Sequence, residues 1–168
     1  MYKRQLRKAG LKTTVIRPTI FMQHLEIGTG MYVRGDDRVF LPTGGTGVAF
    51  LDRRDIAALG HALLLSEGAA AFHGQAHELT GPEPVSGARI AEILSAVRGS
   101  AVQHVDGEEA FVARCAELGI PDWGRFVYAE AADGWFSEIA TGTFELVVGR
   151  KPNGFAVYAT DIRYFLSP

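Results

Sequence analysis

Gly28-Thr29-Gly30-Met31-Tyr32-Val33 and Gly44-Gly45-Thr46-Gly47 are the two places in this sequence where closely spaced backbone amides could cradle a phosphate. The first has the opening spacing of a dinucleotide-binding turn, but Val33 stands where a third glycine belongs and no strong strand precedes it. The second lacks the Lys-Ser/Thr pair of a triphosphate loop and joins two strand-like runs rather than a strand and a helix. Both therefore read as turns. His73 and His77, four apart and followed by Glu78, have the spacing of a metal pair on a helix. Gly74 lies between them and His77 belongs to a strand-like run, so their side chains face different elements and no metal is expected. His24 and His104 have no Asp, Cys or Ser at motif spacing, and His61 falls on or beside a helix face. No G-x-S-x-G nucleophile elbow occurs, and Cys115, on an apolar helix face, reads as a buried, inert thiol. Glu108 and Glu109 could be paired acids, but at a helix start they are more simply charges favoured by the helix dipole.

One candidate is left, the run Pro18-Thr19-Ile20-Phe21-Met22. It follows the most strand-like stretch of the chain, and in open α/β sheets ligands sit beyond the carboxyl ends of strands. Phe21 and Met22 could line a pocket for a flat organic substrate or a nicotinamide ring, or they could fill core.

The elements that must position this run follow from periodicity. Thr13-Thr14-Val15-Ile16-Arg17-Pro18 is β-branched at four consecutive positions and stopped by proline, as expected of a strand buried in a parallel sheet with neighbours on both sides. A short helical or loop segment continues to Leu25. Val39 to Pro42 and Val48 to Leu51 flank a glycine-rich turn and read as strand, turn, strand. Asp52 caps a helix carrying Ile56, Leu59 and Leu63 on one face, with Asp55 in its first turn. Ala76 to Pro82 reads as a strand ended by a Gly-Pro turn. Ser86 caps the most regular helix, with Ile90, Ile93, Leu94 and Val97 at i, i+3, i+4 and i+7 and Gly99 at its end. A brief strand from Val102 to Val105 leads through Asp106 to a helix with Phe111, Cys115 and Leu118 on its apolar face. A longer helical stretch spans Trp123 to Ile139, broken at Gly134. The last helix, after Lys151-Pro152-Asn153-Gly154, carries Phe155, Tyr158, Ile162 and Phe165. Strands alternating with helices of this length predict an α/β domain.

The 168 residues hold 47% apolar residues, with mean hydropathy +0.06, enough for a real core. Seventeen Lys and Arg against nineteen Asp and Glu leave a formal charge of -2, with no basic block to neutralise phosphates, so nucleic acid is not an expected partner. The single cysteine predicts a reducing compartment, and the cytoplasm is the expected location. The longest apolar stretch, Ile56 to Leu65, is about half the ~20 residues a spanning helix needs, so no membrane is expected as partner. Twenty glycines, roughly 12% against an average of ~7%, fall between periodic segments and mark sharp connections. At the amino terminus, Leu6-Arg7-Lys8-Ala9-Gly10 reads as the closing turn of a helix whose beginning is absent. Met1-Tyr2-Lys3-Arg4-Gln5 match the conceptual translation of a transposon end used in sequencing libraries (GTG TAT AAG AGA CAG). Residues 1-5 are therefore expected to be an adapter artefact, with a native basic arm as the alternative.

The order of motifs resembles the NmrA-like group of atypical short-chain dehydrogenase/reductase proteins, which bind NAD(P). The resemblance is carried by Thr14-Val15-Ile16-Arg17-Pro18 with Phe21-Met22 and Leu25, by Phe50-Leu51-Asp52-Arg53-Arg54-Asp55-Ile56-Ala57, by Glu78-Leu79-Thr80-Gly81-Pro82-Glu83 with Ile90-Ala91, and by Gly149-Arg150-Lys151-Pro152. It covers residues 6-168 and only the carboxyl-terminal half of the family's length. It implies the C-terminal portion of a Rossmann-like doubly wound parallel sheet plus a smaller α/β substrate-side subdomain, with the N-terminal dinucleotide-binding half missing. The glycine-rich turn, the residues choosing between NADH and NADPH, and the catalytic residues would all precede Thr13. Carried over by the resemblance, Pro18 and Thr19 would stand at the cofactor, and Phe21 and Met22 at the substrate pocket. Gln23-His24 replace the Glu-Asn more usual after Phe-Met, which puts the polar contacts of that corner in question.

The resemblance further implies that the complete parent is an NAD(P)H-dependent oxidoreductase reducing a small electrophilic acceptor, a quinone or an activated carbonyl. The alternatives are a non-catalytic NAD(P)-sensing regulator acting through a protein partner, or a truncated chain inactive by itself. A small-molecule substrate is the expected partner, with a homo-oligomer also open. Expressed alone, residues 1-168 are expected to be poorly soluble and to bind no NADPH measurably, because the strand at Val15-Ile16 lacks part of its cover.

Overall fold

The β-branched run that reads as the strongest strand forms β1, Val15–Pro18, in the computed structural model, which describes residues 2–25, 32–33, 37–41, 47–65, 67–132 and 138–162. β1 pairs in parallel with β4, Ala76–Leu79, with Val15 opposite Ala76 and Pro18 opposite Leu79. Among the described residues β4 is the only ladder partner of β1. Val15 and Ile16 are accordingly half-buried and Arg17 and Pro18 exposed, rather than buried on both sides as the sequence pattern predicts.

A second sheet orders β2 (Tyr32–Val33), β3 (Arg38–Phe40) and β5 (Gln103–Val105), with β2 antiparallel and β5 parallel to β3. The expected strand, turn, strand at 39–51 is not a hairpin. Val39 and Phe40 pair with β2 and β5, whereas Val48 bridges antiparallel to Val85 and Leu51 bridges parallel to Phe21. Val39 to Leu41 and Val48 to Leu51 are apolar and buried throughout, so alternation could not say which run was the partner of which. Gly47, at φ 92°, lets the second run press against its neighbour: a Cβ there would lie 2.6 Å from the Ser86 nitrogen. The glycine turn at 44–46 and the Gly28/Gly30 turn lie outside the described residues.

Seven α-helices complete the described fold: α1 (Tyr2–Lys8), α2 (Arg53–Leu65), α3 (Gly87–Arg98), α4 (Glu108–Glu117), α5 (Pro121–Ala132), α6 (Thr143–Val148) and α7 (Phe155–Asp161). α1 ends as its residues predict, with Gly10 at φ 72° and the Leu11 N–H donating to the Leu6 carbonyl. α3 has the expected ends: Ser86 Oγ accepts from the Arg89 N–H at 3.2 Å, and left-handed Gly99 donates to Ser95. α4 buries Phe111 and Cys115 but ends before Leu118, which stays exposed. The helix expected from Trp123 to Ile139 starts earlier and ends at Ala132. Residues 133–137 lie outside the described set, and 138–140 are not helical. α7 buries Phe155 and Tyr158, and Ile162 is buried just past its end; Phe165 lies outside the described residues. α6 has no counterpart in the sequence reading, because six residues are too few for a helical period to show.

Two hydrophobic clusters result. The larger gathers residues of β3, α3, α4 and α7 around Phe50, Ile90, Phe111 and Tyr158, and the smaller centres on Leu51, Leu59, Leu79 and Phe144 between the β1–β4 pair, α2 and α6. The bridge between Phe21 and Leu51 lies where they meet. Met22 and Phe50 enter the larger cluster, while Phe21 and Leu51 enter the smaller one. Phe50 and Leu51 follow one another in an extended segment and point to opposite faces, whereas Met22, next to Phe21, opens a short 3₁₀ turn, Met22–Leu25. No described helix is long and apolar enough to cross a membrane.

Candidate functional site

Past the end of β1 the chain changes neighbours within four residues. The Thr19 N–H continues the β1 register by donating to the Leu79 carbonyl at 2.9 Å. The Ile20 carbonyl then accepts from the Leu51 N–H, and the Met22 N–H donates to the Leu51 carbonyl, each at 2.9 Å. Gly81 donates to Ala49 at 3.1 Å and lies so close to the Phe50 backbone that a side chain there has no room. The carboxyl ends of β1 and β4 and the 48–51 segment thus converge on the run selected from the sequence.

Pro18 is exposed and Thr19 half-buried. The Thr19 hydroxyl oxygen is buried without a hydrogen-bond partner among the described residues. A buried hydroxyl left without a partner is costly, which makes such an atom a natural point for a ligand. Phe21 is half-buried, its ring 6.0 Å from that of His24. Met22 is only 1% exposed and packs in the larger core, so of the two apolar candidates Phe21 alone is partly open.

Behind the run lies a polar network, much of it buried. Gln23, 8% exposed, donates through Nε2 to Asp52 Oδ1 at 2.9 Å and accepts at Oε1 from the Arg53 N–H at 3.1 Å. Asp52, fully buried, also accepts from the Arg54 N–H at Oδ1 (2.9 Å), from Arg54 Nε at Oδ2 (2.7 Å) and from Asn153 Nδ2 at 3.4 Å. Arg54 extends the network to Asp161 at 2.6 Å. Burial pushes the Asp52 carboxyl up, but the hydrogen bonds from the Arg54 side chain and backbone and from Gln23 outweigh it and hold the group below the usual carboxylate range. Burial lowers the His24 imidazole.

Asp55 was expected to act as a first-turn charge. It is fully buried and accepts from Arg150 Nη2 at 2.9 Å and from the Asn153 N–H at 2.6 Å, while the Arg150 guanidinium lies over the Phe144 ring at 4.9 Å. The link between Asp55 and Arg150 spans 95 positions, so no local spacing could reveal it; the only sequence signal was that both residues fall in segments resembling one family. Asp52, by contrast, caps α2 as its place in the sequence predicts. Gln23, one of the two residues that stand where Glu-Asn is more usual, bonds to Asp52 and to the Arg53 N–H.

The other sequence candidates stay dispersed. His77 is half-buried on β4 with its ring edge-on to Phe72, and His73 lies in the turn before β4. Among the described residues no group of three His, Cys, Asp or Glu side chains could hold a metal ion. Cys115 is buried, its thiol pushed up by burial against the opposing pull of Arg114. Glu108 and Glu109 are exposed in the first turn of α4. His61 is exposed on α2.

No protein-family model matches the chain. It is similar to an NAD(P)H azoreductase of Xenophilus azovorans, 29% identical over 162 residues that cover 94% of this chain and 55% of the relative. It is also similar to an uncharacterized oxidoreductase of Bacillus subtilis, 30% identical over 151 residues, 87% of this chain and 52% of the relative. The chain thus spans about half the length of these curated relatives. In structure it matches an NADPH-dependent quinone oxidoreductase of Escherichia coli complexed with NADPH, with TM-score 0.74 and 18% identity, over 95% of this chain and 56% of that one. The α/β class read from the sequence and the Rossmann-like fold that the resemblance implies both hold.

Proposed function

We propose that this chain is the acceptor-side portion of an NAD(P)H-dependent oxidoreductase of the NmrA-like group, reducing a small electron-poor acceptor such as a quinone or an activated carbonyl. One observation carries the reading: the unpartnered Thr19 hydroxyl at the carboxyl end of a parallel strand, where open α/β sheets take their ligands. The azoreductase and quinone oxidoreductase names of similar proteins support the class of acceptor. The residues present fit a dinucleotide at this edge, because the site offers a hydroxyl that needs a partner beside an exposed proline and a partly open aromatic ring.

In this reading Pro18 and Thr19 hold the cofactor's nicotinamide end. Phe21 gives the acceptor a flat apolar wall, and Met22, packed in the core, is the floor that keeps the backbone of Phe21 in place. When bound, the nicotinamide supplies the hydride; the protein supplies binding, orientation and exclusion of water. The Thr19 hydroxyl acts by hydrogen bonding, as donor or acceptor, and transfers no proton.

The test uses the protein expressed from its genomic locus, including any coding sequence in frame upstream. NAD(P)H oxidation is followed by absorbance with a panel of quinones and azo dyes. Turnover with electron-poor acceptors is expected, and Thr19→Val should raise the NAD(P)H dissociation constant about tenfold, the loss of one ordinary hydrogen bond. Cofactor that binds but is never oxidised would point to a sensor instead, and an unchanged dissociation constant in Thr19→Val would remove Thr19 from the site.

A further inference from the structure

We infer that Gln23 is a positioning residue for the acceptor side of this site, holding Phe21 in place through a two-sided amide contact with the amino-terminal end of α2; the inference rests on the reductase reading above. Between Thr19 and Met22 the backbone leaves Leu79 and takes up Leu51. Past Met22 a local backbone bond follows, from the His24 N–H to the Phe21 carbonyl at 3.2 Å. The Gln23 side chain adds a second long-range fastening to the bridge at Leu51: its carbonyl accepts from the Arg53 N–H and its amino group donates to Asp52 Oδ1, across 30 and 29 positions.

Only an amide satisfies both contacts. The Arg53 N–H requires an acceptor, and the ionised Asp52 requires a donor, so the Gln23 oxygen and nitrogen each have a single place. A carboxylate of the same length keeps the first bond but sets a negative charge against Asp52. That clash eases only when one of the two carries a proton, and a carboxyl in such a pair titrates well above its ordinary range. The charged groups around this point are Asp52, Arg53 and Arg54 at the start of α2, Asp161 of α7 through Arg54, and, one contact further, Asp55 with Arg150. His24 is the titratable neighbour on the same segment, and its contribution is common to every variant compared.

The experiment measures acceptor and NAD(P)H KM for the locus-encoded protein, with a benzoquinone as probe, between about pH 6 and about pH 8. Gln23→Glu should raise the acceptor KM about tenfold at the alkaline end and return to within about twofold of the unsubstituted protein at the acid end, with NAD(P)H KM within about twofold throughout. Gln23→Met, which loses both bonds and adds no charge, should show a raised acceptor KM that runs parallel to the unsubstituted profile at every pH. A Gln23→Glu profile parallel to that of the unsubstituted protein, or equal changes in both KM values, would overturn the inference while leaving the reductase reading intact. Should either variant fold poorly, the remaining one decides by the same comparison. An unsubstituted protein that oxidises no NAD(P)H with any acceptor overturns the reductase reading and this inference together.

Discussion

Replacing Asp52 separates what its two carboxylate oxygens do. Oδ1 accepts from the Arg54 N–H and from Gln23 Nε2, and Oδ2 faces Arg54 Nε and Asn153 Nδ2. Asp52→Ala removes the α2 cap, which costs about 1 kcal/mol. It also strands the buried Gln23 amino group, which costs roughly 1–3 kcal/mol. The Arg54 side chain is 48% exposed and regains water, so its share is at most about 1 kcal/mol. The expected total is about 3 kcal/mol, or roughly 6–12 °C in Tm for a chain of this size. Asp52→Asn keeps an oxygen at the Oδ1 position, and with it the cap and the Gln23 bond. It sets a buried amino group where Oδ2 accepted from Arg54 Nε and Asn153 Nδ2; half-exposed Arg54 can turn away, so about 1–2 kcal/mol is expected, less than for Asp52→Ala.

Urea unfolding followed by tryptophan fluorescence, with m unchanged, measures both variants. Because the folded-state carboxyl is held below its unfolded value, the advantage of the unsubstituted protein over Asp52→Asn is present above about pH 4 and fades as pH falls through the lowered folded value. The reasoning is refuted if Asp52→Ala costs less than about 1 kcal/mol, if Asp52→Asn costs as much as Asp52→Ala, or if their difference from the unsubstituted protein widens in acid.

Gly124→Ala should destabilise by about 1–3 kcal/mol, because a Cβ there would lie 2.6 Å from the Cys115 Cβ and 2.8 Å from its sulfur, forcing α4 and α5 apart. Cys115→Ala should recover part of the loss in the double variant, and strict additivity in urea titrations would contradict the contact. The Cys115 thiol is buried and raised by its surroundings, so iodoacetamide at about pH 8 should label it only at the rate of unfolding; rapid labelling of the native protein would show the α4–α5 contact to be open.

The strands and helices with strong local signals are legible in the sequence. Ser86 and Gly99 bound α3 because capping is a contact between near neighbours, and Asp52 starts α2 for the same reason. Thr19 could be selected because its place after a β-branched run is a matter of chain order. The short helix α6 was not legible, since six residues show no period. Nor were the partners of Val39–Leu41 and Val48–Leu51, because apolar runs buried on every side carry no alternation to say whom they face.

The site shows the same division. Composition and periodicity by themselves determined an α/β chain with its candidate ligand edge at Pro18–Met22 and a sequence without a dense basic block. Tertiary packing alone separated Phe21 from Met22, sending one side chain toward each core, and turned Asp55 from a helix-start charge into the anchor of Arg150. The physical reason is range. Caps, turns and periods act over three or four residues and leave a mark in local spacing. The contacts joining Gln23 to Asp52 and Asp55 to Arg150 close loops of 29 and 95 positions, and only the folded chain brings such groups within hydrogen-bond reach.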